Sequence, residues 1–127
     1  MPHRVSLEVD IDKLEKNFKT ILERVSPAQV MAVVKADAYG LGVQKIAPAL
    51  KNAGASFFGV ADINEALQIA HFNLPVQVLG NLFADEIDDL KRYDQQNESY
   101  NDLDAGVQAP INYGVKNCFP IHFFLPF

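Results

Sequence analysis

Apolar positions along this chain change period repeatedly, and each change marks an element. Residues 5–9, "VSLEV", alternate apolar and polar as a half-buried strand does. From Ile11 the spacing becomes three and four, with Ile11, Leu14, Phe18, Ile21, Leu22 and Val25 in one stripe. That stripe predicts an amphipathic helix, with Asp12 placed to cap it and Glu15 three residues on. Pro27 ends it, since proline lacks the amide hydrogen and disfavours helix in the residue before it. "VMAVV", residues 30–34, is a continuous apolar run, the pattern of a parallel strand buried on both faces. A second helix is predicted over roughly 43–53, stopping at Gly54, with Pro48 expected to kink it or delay its start. The strand "SFFGV" follows at 56–60, then a helix capped by Asp62 with Glu65 three residues later, then the strand "VQVLG" at 76–80. A last helix is predicted from Ala84 to Arg92, acidic in its first turn and basic in its last, as the helix dipole favours.

Strand and helix alternate throughout residues 1–92, which implies βαβ units and a parallel sheet. Two architectures satisfy it, an open doubly wound sheet or the N-terminal βα units of a partial (β/α)₈ TIM-type barrel. After Tyr93 the composition shifts. "DQQNESYNDLDAG" is polar and turn-rich, and the remainder to Phe127 holds neither period for any useful length. Residues 93–127 are therefore expected to form a divergent, poorly structured tail. Its Phe119, Phe123, Phe124 and Phe127 either dock on the core or lie exposed.

Composition narrows the function classes. The 127 residues are 49% hydrophobic and 21% charged, ordinary for one modest globular domain. A net charge of -5 gives no basic field, so neither nucleic acid nor an anionic membrane is an expected partner. The single cysteine, Cys118, has no internal partner for a disulfide, and "MPHRVSLEVD" lacks the apolar centre of a signal peptide. A reducing, cytoplasmic location is expected. The apolar C-terminus "CFPIHFFLPF" is broken by Pro120 and Pro126 and falls well short of the ~20 residues a membrane span needs. No metal site is expected.

The chemistry concentrates in "AVVKADAYGLG", residues 32–42. Lys35 directly follows a buried run, at the carboxyl end of a strand, where active sites form in barrels and open α/β sheets alike. Partial burial of a lysine head group favours the neutral amine, the form that attacks a carbonyl. The alternative is a lysine that extends along the strand end to solvent. Gly40 and Gly42 permit positive φ and close backbone approach, and they precede a helix whose first amides are expected to be open to an anion. Tyr39 lies in the same turn as a candidate phosphate donor or a packing residue. Asp37 is expected to hold the loop through backbone hydrogen bonds. A carbonyl-capturing amine beside a phosphate cradle points toward pyridoxal 5'-phosphate.

"AVVKADAYGLG" closely resembles the pyridoxal-phosphate attachment signature of the alanine racemases, V-K-A-D-A-Y-G-H-G in its common form. Leu41 stands where histidine is usual. The flanks resemble the same family: "LEVDIDKLEKNF" its opening strand and first helix, "GVADINEALQI" and "LPVQVLG" its following units, covering about residues 4–92. The resemblance implies a pyridoxal-phosphate-dependent isomerase that interconverts L- and D-alanine for cell-wall precursors. It implies that Lys35 carries the cofactor covalently and moves protons on one face of the substrate, and that Tyr39 contacts the cofactor phosphate. In this family the acid/base group of the opposite face is a tyrosine from the C-terminal domain of the partner subunit, so the parent enzyme is expected to be a homodimer.

A complete barrel takes ~250 residues, and three barrel strands are recognisable here, near 30–34, 56–60 and 76–80. The family's later phosphate loop, its pyridine-binding arginine and its second-face tyrosine have no matching positions. Tyr93, Tyr100 and Tyr113 align with none of them. The reading is an N-terminal piece of a racemase, a truncated or frame-disrupted product inactive by itself. The alternatives are a non-catalytic pyridoxal-phosphate-binding or interaction fragment, and a small doubly wound binding module in which Lys35 is structural.

Overall fold

The computed structural model describes residues 5–81, 83–89, 91–92 and 118–122. Helix α1, Ile11–Val25, forms where the apolar stripe predicts it and buries Leu14 and Phe18. Its cap is Asp10 rather than Asp12, with the Lys13 N–H donating to Asp10 Oδ1 at 3.0 Å. Asp10 has the extended backbone that a capping residue needs, whereas Asp12 already lies in the first turn. The chain leaves the helix through Ser26 and a cis peptide bond to Pro27, then enters strand β1, Gln29–Val33.

After β1 comes a short helical segment, Lys35–Tyr39, and helix α2, Val43–Asn52. Strand β2 is Phe57–Val60, helix α3 Ile63–Ile69 and strand β3 Val76–Val78. Pro48 sits inside α2 without delaying its start at Val43. Gly54 follows with φ +108°, the positive angle that stops a helix. The last predicted helix begins instead as a 3₁₀ turn, Ala84–Glu86, and is helical over 87–89 and 91–92. The predicted strand at 5–9 does not form. Val5 and Leu7 are 86% and 67% exposed, because alternation makes a strand only where a sheet edge receives it, and the described sheet takes none of these residues.

The sheet is parallel, in the order β3-β2-β1-β4, where β4 is Cys118–His122. No periodicity marks residues 118–122, yet their backbone lies beside β1, with Gln29 opposite Cys118 and Val33 opposite His122. Parallel pairing is made by main-chain groups and needs no apolar alternation, and Pro120, lacking an N–H, is tolerated on an edge strand. The rest of the expected tail, 93–117 and 123–127, falls outside the described residues.

Register divides the sheet into two faces. Ala32, Phe58 and Val76 form one row across β1, β2 and β3, and Val33, Gly59 and Gln77 form the next. The first row, with Val30 of β1, Val34 just after it, and Val60 and Val78 beyond, packs on the helices together with Phe18, Leu50 and Ile63. Full burial of Phe18 alone is worth about 1.5–3 kcal/mol. The second row belongs to the opposite face, where a Cβ on Gly59 would meet Met31 Sδ and Val33 Cγ2, both at 3.2 Å. Among the described residues no helix is long and apolar enough to cross a membrane.

The Lys13 backbone N–H holds the Asp10 carboxyl below its ordinary pKa. A carboxylate with a lowered folded-state pKa stabilises the fold fully above its unfolded value, and that contribution disappears as pH falls through the lowered one. Asp10→Ala is therefore expected to lower the unfolding temperature at neutral pH and to lower it less at a pH below both values, where only the neutral carboxyl's hydrogen bond remains to be lost. Thermal unfolding followed by circular dichroism from pH 7 downward checks this.

Candidate functional site

Because β1, β2 and β3 run parallel, their carboxyl ends lie together at one end of the sheet. Lys35 stands two residues beyond the last residue of β1. It is half-buried, and among the described residues its ammonium makes no hydrogen bond or ion pair. Val34, the residue between, is buried on the helix side. Val34 has left the extended conformation, with ψ 22°, so the chain turns out of the sheet directly before Lys35.

The segment after Lys35 is a left-handed turn. Ala36, Asp37, Ala38 and Tyr39 have φ of 52°, 54°, 53° and 55°, and Gly40 and Gly42 continue with 83° and 91°. Glycine adopts such angles freely, but each of the four Cβ-bearing residues costs about 1–2 kcal/mol. Hydrogen bonds hold the run in place: Ala38 N–H to Val34 O at 2.9 Å, Gly40 N–H to Ala36 O at 3.0 Å and Gly42 N–H to Asp37 O at 3.0 Å. The expected positive φ at the glycines is present, but the unusual backbone begins four residues before them.

Asp37 closes this turn onto α2. Its Oδ1 accepts the Val43 N–H at 2.8 Å, so the carboxylate caps a helix whose capping position, Gly42, has no side chain to do it. The expected structural role for Asp37 is present. The expectation of an open amide at this helix end changes, since the first N–H of α2 already has an anion of the chain itself. Tyr39 ends the left-handed run, 41% exposed, four residues after Lys35. Leu41 is partly buried against the helix-side core.

Sequence reasoning missed one residue. Glu65 is placed as the partner in a capping box with Asp62, and the Asp62 half is present, its Oδ1 accepting the Glu65 N–H at 2.9 Å. The Glu65 carboxylate, however, does not return to Asp62. It reaches across the sheet end, Oε1 accepting the Ala36 N–H at 2.8 Å and Oε2 the Ala61 N–H at 2.7 Å. The Asp-x-x-Glu spacing marked the residue but assigned its carboxylate to the wrong amide. Gly80 completes the strand ends. Its N–H donates to Ala61 O at 3.1 Å, and a Cβ there would lie 2.6 Å from that same oxygen.

A half-buried primary amine at the mouth of parallel strands and beside a rigid turn is suited to covalent capture of a carbonyl. Comparison with known proteins gives the family of the chain. The family model "Alanine racemase, N-terminal domain" matches residues 9–105. Alanine racemase of Corynebacterium glutamicum is 37% identical over 84 residues, covering 66% of this chain and 23% of that protein. The chain thus spans less than a quarter of the length of that curated relative. Among solved structures, alanine racemase from Bartonella henselae with covalently bound pyridoxal phosphate superimposes with a TM-score of 0.62 at 33% identity, over 75% of this chain and 31% of that one. Histidine racemase from Leuconostoc mesenteroides subsp. sake gives 0.63 at 30% identity, over 76% and 26%. The described sheet and helices are thus a partial (β/α)₈ barrel.

Loss of the Asp37 cap removes the tie between the left-handed turn and α2. Asp37→Ala is expected to destabilise the chain by about 0.5–2 kcal/mol, and Asp37→Asn by less, because its carboxamide oxygen can accept the same N–H. Urea unfolding of the three proteins distinguishes these outcomes.

Proposed function

The chain belongs to the alanine racemase family, matching its N-terminal domain, and from that premise we propose that Lys35 is the lysine by which a pyridoxal-phosphate-dependent amino-acid racemase, acting on alanine, holds its cofactor. The observation that carries the reading is the half-buried Lys35 at the carboxyl end of β1, inside the sequence "VKADAYGLG".

The residues present fit the attachment end of this cofactor. Lys35 offers the amine, and a Cβ at Gly40 or Gly42 would meet nothing within 4 Å among the described residues. Tyr39, exposed at the end of that turn, is the side chain proposed to donate to the phosphate. When bound, the cofactor withdraws electrons from the substrate Cα and acidifies its proton. Lys35 would be the base that takes this proton on one face and the acid that returns one there.

Inversion needs a second acid/base group on the other face. By the family pattern that group is a tyrosine of the partner subunit's C-terminal domain, which makes the working unit a homodimer. No position of this sequence matches it, so the 127-residue chain by itself is proposed to bind without racemising.

Two outcomes are expected. Pyridoxal phosphate followed by borohydride should leave a stable pyridoxyl mark on Lys35, found by peptide mass spectrometry. A mark spread evenly over surface lysines, and unchanged in Lys35→Ala, contradicts the assignment. With cofactor and L-alanine in heavy water, the chain should exchange the Cα proton with retained configuration. D-alanine should form about 10²- to 10⁴-fold more slowly than in a complete racemase, the usual contribution of one placed acid/base group. Rapid D-alanine formation that disappears in Lys35→Ala requires a second acid/base group within these residues and overturns the binding-only reading.

A further inference from the structure

We propose that Glu65 is the positioning residue for Lys35, and that its two carboxylate oxygens fix the backbone from which the amine projects. The inference rests on the reading of Lys35 as the cofactor lysine.

The direction of a side chain is set by the two peptide planes that flank its Cα. Before Lys35, the carbonyl of Val34 accepts the Ala38 N–H at 2.9 Å, and the Val34 N–H is tied to Gly59 O at 2.8 Å. After Lys35, the peptide joining it to Ala36 is held by the Ala36 N–H on Glu65 Oε1 at 2.8 Å. Both planes are thereby anchored, the second by Glu65. The other oxygen is anchored in turn on the Ala61 N–H, at the end of the neighbouring strand.

Only a carboxylate meets this demand. Two N–H donors from two strand ends need two acceptor atoms on one side chain, whereas a carboxamide has one acceptor and would turn its NH₂ against the other amide. Glu65 is itself fixed, because Asp62 accepts its N–H and its charge lies in the first turn of α3, where the helix dipole favours an anion. Ala36 opens the left-handed run, so losing this contact releases a strained segment directly beside the amine.

The test uses the whole chain as wild type, Glu65→Gln, Glu65→Asp and Gln44→Ala, each checked for native circular dichroism. Gln44→Ala removes a different side-chain contact between α2 and α3, Gln44 Nε2 to Gln68 O at 2.9 Å, and is the control for stability alone. Two readouts are taken. One is the cofactor concentration at which borohydride marks Lys35, with Lys16 and Lys19 on α1 as internal references; the other is amide hydrogen exchange at Ala36 and Ala61 without cofactor.

Glu65→Gln is expected to raise the half-marking concentration for Lys35 about 10- to 100-fold, the equivalent of one lost hydrogen bond to a charged group. It should speed exchange at Ala36 or Ala61 while leaving Lys16 and Lys19 unmoved. Glu65→Asp, one methylene too short to span both donors, should behave likewise and serves if the glutamine variant fails to fold. Gln44→Ala should match wild type. Marking of Lys35 at wild-type concentrations in both Glu65 variants, or unchanged exchange at both amides, overturns the role of Glu65. A wild-type chain that never marks Lys35 overturns the lysine assignment and this inference with it, and the exchange data then say separately whether the carboxylate holds the turn.

Discussion

Parallel strands that stop side by side leave main-chain N–H groups at their carboxyl ends with no further ladder to enter. In this fold the ends of β1 and β2 meet that condition at Ala36 and Ala61, and one carboxylate satisfies both. The placement of the candidate amine depends on this bridge, because it joins the first two βα units at the level where the chain turns away from the sheet. Hydrogen bonds to a charged acceptor contribute about 1.5–3 kcal/mol each. That is the same order as the strain of one or two residues in the left-handed turn beside it.

The left-handed turn has its own internal logic. A right-handed helix begun at Lys35 would carry the chain on in an ordinary helical path, whereas the reversal from Ala36 to Tyr39 brings Asp37 to the first amide of α2. The tight pocket of backbone that results is held at both ends by carboxylates, Glu65 before and Asp37 after. Each neutralises an amide that would otherwise be left at the site, and neither takes the Lys35 ammonium as a partner.

How much of this was legible follows from the range of the forces involved. The helices and the three barrel strands rest on apolar periodicity, a local signal, and they appear within a few residues of where the pattern puts them. Lys35 was legible for the same reason, as a charge at the end of a buried run. The cap of α1 shifted by two residues because Asp10 and Asp12 are chemically equivalent, and only backbone geometry chooses between them. The left-handed run was illegible because Ala36, Asp37, Ala38 and Tyr39 carry no preference for positive φ, and its first amide is held by Glu65, 29 residues from Ala36 in the chain. Residues 118–122 were illegible because parallel pairing on an edge uses main-chain groups that every sequence possesses.

The same distinction explains why two glycines near the site have different origins. Gly42 has φ +91° and, among the described residues, nothing a Cβ would meet, so it is required by backbone conformation. Gly80 is required by contact, since a Cβ would come within 2.6 Å of the Ala61 carbonyl oxygen. That contact matters because Ala61 is held on both sides, its N–H by Glu65 and its carbonyl by the Gly80 N–H. Through Ala61 the end of β3 is tied to Glu65, and through Glu65 to the peptide that follows Lys35. A side chain at position 80 would push on this linkage from the strand farthest from the lysine. The site is therefore not a property of one loop: the first three strand ends form one hydrogen-bonded unit, and the motif around Lys35, held by its own hydrogen bonds, is tied to that unit through Glu65.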